Sequence, residues 1–169
     1  MSSLMFQELR EFRSFAYSAY AYSVEPVHAL HPNDPTALVT TMGTQADKTL
    51  QALGVLDSLL THATIDAGRV SLARSMMVNS INPSSPSFRA IGDYIATRRV
   101  AGYAHDLNAE VYRALLTRTP GDVAAYYSTQ VQTAPRAIYL IGNITAAMRA
   151  QLARYGRVVV LTKRDVLNY

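Results

Sequence analysis

The hydrophobic positions of this chain change period several times, and each change predicts an element. From Ser2 to Phe12 the apolar residues Met5, Leu9 and Phe12 recur at spacings of four and three, which predicts a helix capped by Ser2 or Ser3. Arg10 and Phe6, themselves four positions apart, fall on a different face of that helix. Residues 15 to 23 alternate instead and are rich in aromatics, the signature of a strand. One face of it carries Phe15, Tyr17, Ala19 and Ala21, the other Ala16, Ser18, Tyr20 and Tyr22. Pro26, Pro32, Asn33 and Asp34 make Val24 to Pro35 a loop, and a second strand runs from Thr36 to Met42 and stops at Gly43.

A helical period follows. Thr44, with Asp47 three residues on, resembles a capping box ahead of a helix reaching His62, with Ala46, Leu50, Leu53, Leu56 and Leu60 as its buried stripe. Asp66 caps a helix to Asn82, which Pro83 to Pro86 breaks. Ser85 then caps a third helix, with Pro86 at its first position and Gly102 just past its end. Asp106 opens a fourth to Leu116, and Thr119-Pro120 a fifth to Gln130. The apolar run Ala137 to Ile141 reads as a buried strand stopped by Gly142, Thr145 caps a short helix ending near Gly156, and Val158 to Leu161 is the last strand. Strands grouped apart from helices predict an α+β fold, a small and mainly antiparallel sheet with helices packed on one face. Asn82 to Ser87 reads as a helix–helix turn and not as a linker, so residues 1–169 are read as a single domain.

Composition adds an oddity. Charged residues are 17% of the chain, below the roughly 25% of an average soluble domain, while 49% are hydrophobic. The net charge of +4 comes from basic residues scattered along the sequence. The densest stretch, Arg149, Arg154, Arg157, Lys163 and Arg164, reads as a solvated face ahead of an anion site, and it lacks the aromatic interleaving of a nucleic-acid binder. There are no cysteines, which removes disulfides, thiolate metal sites and cysteine nucleophiles together. No apolar run approaches the roughly 18 residues of a membrane span. Glu8, Arg10, Glu11 and Arg13 make the first residues unlike a signal peptide.

Most motifs that carry chemistry are missing. The glycines stand too far apart for a phosphate-cradling loop, and no Gly-x-Ser-x-Gly is present. His28, His31, His62 and His105 have no Glu at the spacing of a helical zinc site. His28-x-x-His31 with Asp34 offers metal-ligand types, but in a proline-broken loop with no fourth ligand it reads as a solvated segment. Asn143-Ile144-Thr145 fits a glycosylation acceptor, and more simply a turn followed by an N-cap threonine. Arg10 and Tyr17 are the exception. A guanidinium stays charged and offers five donors in a fixed fork suited to a carbonyl or carboxylate, and a phenol nearby adds a neutral donor. On the Tyr17 side of the strand, Ala19 and Ala21 leave space above the sheet that a peptide backbone could fill.

The segment Ser2-Ser3-Leu4-Met5-Phe6-Gln7-Glu8-Leu9-Arg10-Glu11, followed by Phe12-Arg13-Ser14-Phe15-Ala16-Tyr17-Ser18, resembles a helix-to-strand segment of the pitrilysin/insulinase-type zinc metallopeptidases. That family writes it in its C-terminal half as Ser-Ser-x-Leu-Phe-x-x-Leu-Arg-Glu, two variable residues, Gly-Leu-Ala-Tyr-Ser. Weaker points follow in the same order: Thr44-Gln45-Ala46-Asp47-Lys48 and Thr119-Pro120-Gly121-Asp122-Val123 opening helices, and Ile138-Tyr139-Leu140-Ile141-Gly142 as an apolar strand.

The resemblance implies one of two similar α+β halves that close around a peptide chamber, on one polypeptide or on two subunits. One half holds zinc through an inverted His-x-x-Glu-His motif; the other has no metal and supplies an Arg and a Tyr, seven positions apart, that bind the substrate backbone and the oxyanion. Arg10 and Tyr17 match those positions. It therefore implies no cofactor in this chain, zinc on a partner half, a peptide substrate, and no activity of this half alone. Two departures stand out: Ser14 replaces the family's glycine, so the backbone leading to Tyr17 is expected to differ. The family's half also begins with a strand and helix ahead of the matched segment, so the chain is expected to be a fragment with an unpaired edge, prone to form a homo-dimer in isolation. A non-catalytic peptide-binding or assembly subunit of the same fold is the alternative, and an anion or nucleic-acid binder a distant third.

Overall fold

The computed structural model describes residues 3–24, 35–81 and 86–167. His28, His31 and Asp34 of the histidine loop, and the cap expected at Ser85, lie outside the described residues. The fold is α+β. In order, the described elements are α1 (Leu4–Phe6) running into a π-helical turn (Gln7–Glu11), β1 (Ala16–Val24), β2 (Ala37–Thr44), a 3-10 turn (Ala46–Lys48), α2 (Thr49–His62) and α3 (Ala67–Ile81). They continue with α4 (Ile91–Val100), α5 (Leu107–Thr117), α6 (Pro120–Tyr126) with a π turn (Tyr127–Val131), α7 (Ala146–Leu152) with a 3-10 turn (Ala153–Tyr155), and α8 (Lys163–Leu167). The described residues group into two compact units.

The first unit comprises Met1–Ala19, Met42–Asp57 and Arg136–Tyr169. All the buried hydrophobic side chains among the described residues belong to it: Leu9, Ala16, Ala19, Ala52, Leu53, Leu56 and Leu152, with Thr49 as the buried polar residue. Leu9 is wholly inaccessible and anchors the first helical segment. At roughly 1.5–3 kcal/mol for each fully buried leucine, this small cluster is the main hydrophobic stabilisation of the unit. Arg136 and Asp57 add an ion pair at 2.8 Å.

Several local expectations change here. The stripe of the first helix holds at Leu9 but not at Phe12, which is 68% exposed. The cause is the π turn: Phe12 N–H bonds the Gln7 carbonyl five residues back (2.9 Å), so positions beyond the turn rotate away from the stripe. Ser3 is the N-cap, its Oγ accepting from Phe6 N–H at 3.2 Å. Thr44 does not form the expected capping box. It ends β2, and its hydroxyl donates to the Phe15 carbonyl at 2.6 Å, leaving Gln45 to precede the helical turn without a side-chain cap. Along α2 the buried stripe is Thr49, Ala52, Leu53 and Leu56; Leu50 and Leu60 are half-buried and Ala46 is exposed.

Of the four strands expected, two form a sheet among the described residues. Among the described residues, β1 and β2 pair as a ribbon, and neither 137–141 nor 158–161 takes a ladder position. No backbone hydrogen bond joins either segment to a described residue, and Tyr139 (84%), Ile141 and Val160 stand exposed. An apolar run specifies what a strand is made of, but the ladder itself needs a second strand to receive its N–H and C=O groups.

The second unit comprises Tyr20–Thr41 and Ser58–Pro135 and is mostly helical. Here the local signals of the sequence are expressed closely. Asp66 accepts from Arg69 N–H (2.8 Å) ahead of α3, and Asp106 accepts from Asn108 N–H (3.0 Å) ahead of α5. Thr119 and Asp122 form a reciprocal capping box at α6, with Pro120 at its start. Gly102, at φ +90°, closes α4: its N–H reaches the Arg99 carbonyl and Tyr103 N–H the Arg98 carbonyl, the paired bonds of a Schellman motif. The start of α4 differs from expectation, at Ile91 and not at Pro86, because residues 88–90 form a turn in which Ala90 N–H bonds the Ser87 carbonyl. Long-range side-chain bonds hold the helices together. The Tyr94 hydroxyl donates to Asp106, Arg74 donates to the Arg118 carbonyl, and the Tyr127 hydroxyl takes Ala63 N–H (2.8 Å) while donating to the Leu59 carbonyl (3.1 Å). None of the described residues of this unit is fully buried.

Candidate functional site

Arg10 and Tyr17, seven positions apart in sequence, are brought side by side in the first unit. The guanidinium carbon of Arg10 lies 5.1 Å from the centroid of the Tyr17 ring and 4.6 Å from that of Phe6. Both distances fall within the roughly 6 Å over which a cation is attracted to an aromatic face. The π turn carries Arg10, and the chain then reverses within a few residues into β1, which carries Tyr17.

That reversal is tightly specified. Ser14 N–H bonds the Arg10 carbonyl (2.9 Å) and Phe15 N–H the Leu9 carbonyl (2.8 Å), while the Phe15 carbonyl receives the Thr44 hydroxyl. Phe15 is thus pinned at both backbone polar groups. Ser14 between them has φ +51°, the left-handed region in which glycine is cheapest. Ser14 therefore adopts a backbone that glycine favours while carrying a side chain.

Arg10 and Tyr17 open onto a recess of about 770 Å³, whose wall is completed by Glu11, Ser14, Ser18, Thr44 and Gln45. Gly43 lies across from Ser18, where an added Cβ would sit 3.4 Å from its Oγ. The Tyr17 side chain is 83% exposed, and no hydrogen bond occupies either its hydroxyl or the Arg10 guanidinium among the described residues. The neighbouring Arg13, by contrast, is held by the Glu8 carboxylate and carbonyl. The wall therefore offers a fork of charged donors, a phenol and several hydroxyl groups to an incoming acceptor, which suits a carbonyl or carboxylate oxygen. The space that sequence reasoning placed over Ala19 and Ala21 is not where the recess lies, since Ala19 is buried and belongs to the core.

Other candidates resolve simply. Thr145 Oγ accepts from Met148 N–H at 3.2 Å, the geometry of an N-cap. Among the described residues no group of three His, Cys, Asp or Glu side chains could hold a metal ion; His62 pairs with Thr61 and His105 with Glu110. Arg149, Arg154, Arg157, Lys163 and Arg164 are all exposed. No helix among the described residues is long and apolar enough to cross a membrane. Phe6 is the residue that sequence reasoning left out of the site, although its spacing of four from Arg10 was the signal. Compared with family models, curated proteins and solved structures, the chain finds no match in any of the three.

Proposed function

We propose that this chain is the substrate-binding, non-metal half of a zinc-dependent endopeptidase of the pitrilysin/insulinase type. In this reading it is a metallopeptidase half-domain working with a homologous zinc-bearing half on the same polypeptide or on a separate subunit. The observation that carries the reading is the meeting of Arg10 and Tyr17 at an open recess, with no hydrogen bond to a described residue taking up their donors. The left-handed Ser14, at the position the family gives to glycine, supports it further.

Zinc on the partner half would supply a polarised water as nucleophile. The residues of this chain do the rest of what is proposed here. The Arg10 fork and the Tyr17 hydroxyl grip the peptide carbonyl, and their bonds strengthen as its oxygen gains negative charge. Donors of this kind contribute on the order of 10²- to 10³-fold in rate.

The test is to combine the chain with a zinc-bearing half and follow peptide cleavage. Arg10→Ala is expected to lower kcat/KM by about 10²- to 10³-fold. Tyr17→Phe, which removes one hydrogen bond, is expected to lower it by about tenfold. Unchanged turnover in both variants would sink the catalytic role. Peptide binding that depends on Arg10, with no cleavage by any zinc-bearing partner, would mark a binding or assembly subunit instead.

A further inference from the structure

Arg10 is restrained in an unusual way. Among the described residues no carboxylate and no carbonyl holds its guanidinium; what touches it are two aromatic rings, Phe6 at 4.6 Å and Tyr17 at 5.1 Å. A carboxylate partner would consume the donor fork, as Glu8 does for Arg13. A ring restrains the guanidinium through its face and leaves the N–H edge available. Tyr17 is 83% exposed and so is itself weakly held, whereas Phe6 is half-buried and rises from the capped first turn of α1. Phe6 is therefore the firmer of the two supports. It carries no polar atom and has no chemistry of its own to offer a substrate.

We infer that Phe6 is a positioning residue: its ring sets the orientation in which Arg10 presents its donors to the recess. The inference rests on the proposed role of Arg10 in binding substrate. Geometry of this sort is sensitive, because a misplacement of about 1 Å can cost on the order of 10²-fold in rate.

The experiment combines kinetics of the chain assembled with a zinc-bearing half and the ¹⁵N spectrum of the Arg10 Nε–H group, whose resonance is displaced by the currents of nearby rings. Phe6→Leu is expected to lower kcat about tenfold with KM held within about twofold, the loss of one ring contact to the cation. Phe6→Tyr keeps the ring and is expected to keep kcat within about twofold. In an Arg10→Ala background Phe6→Leu should cost nothing more, since the two residues act as one. The Arg10 resonance should move toward that of a free arginine in Phe6→Leu and stay in place in Phe6→Tyr. An equal loss from Phe6→Leu in both backgrounds, or an unmoved Arg10 resonance, overturns the inference. If Phe6→Leu does not fold, Phe6→Met gives the same comparison. If the unaltered assembly cleaves no peptide, the proposed function fails, and the resonance alone decides for or against Phe6.

Discussion

At the scale of single residues, the site depends on how Ser14 turns the chain. A left-handed backbone costs an L-residue about 1–2 kcal/mol, while glycine pays back part of that saving through its looser unfolded state. Ser14→Gly is therefore expected to raise stability by about 0.5 kcal/mol, and Ser14→Val to lower it by about 1 kcal/mol or more, both measurable by denaturant melts. Equal melts for the three proteins would show that the turn is not held in this conformation. The sequence alone pointed to Arg10 and Tyr17 through a motif, but their closeness rests on this turn and on the bond from Thr44 to Phe15, 29 residues away. Serine carries no mark of a positive φ, and a long-range hydroxyl bond has no local signature. Phe6 was legible as a spacing and not as a contact, because a π turn cannot be anticipated from hydrophobic periodicity.

Elements were read most reliably where their ends are made by neighbouring residues. Asp66, Asp106, Thr119, Thr145 and Gly102 all act at the helix ends assigned to them, because a cap needs only residues within a turn of itself. The segments 137–141 and 158–161 show the converse, since pairing is decided by a partner elsewhere in the chain. The box at α6 also makes a pH prediction. Backbone and side-chain hydrogen bonds from Thr119, with Arg118 nearby, hold the Asp122 carboxyl below the ordinary carboxylate value. A depressed carboxylate stabilises the folded helix end above its unfolded value, and that contribution is lost as pH falls through the folded one. Fraying of the first turn of α6 is thus expected below about pH 4, and Thr119→Ala should raise the Asp122 titration midpoint toward that of an ordinary aspartate. The variant keeps the larger contribution, the Thr119 backbone N–H, so the midpoint should move only part of the way, and a midpoint unmoved in carboxyl NMR would show that the Thr119 hydroxyl does not contribute.

For the molecule as a whole, the low charge of the sequence acquires a location. Apolar side chains lie exposed at Tyr139, Ile141, Val159 and Val160 in the first unit, and at Met76, Ile91 and Leu116 in the second. Unpaired backbone beside exposed apolar side chains invites pairing with another chain. Sedimentation over rising concentration is expected to show self-association of the isolated chain, weakened by Tyr139→Lys with Val159→Lys. A monomer throughout would count against an unfilled surface. The burial pattern has a further consequence, in time and not in space. Helix α2 begins among the buried residues Thr49, Ala52, Leu53 and Leu56, whereas none of the described residues of its last turn is buried and hydrogen bonds from Tyr127 and Gln132 reach it at Leu59, Thr61 and the following Ala63. Amides in the first part of this helix open with the core, and those at its end open on a faster clock of their own.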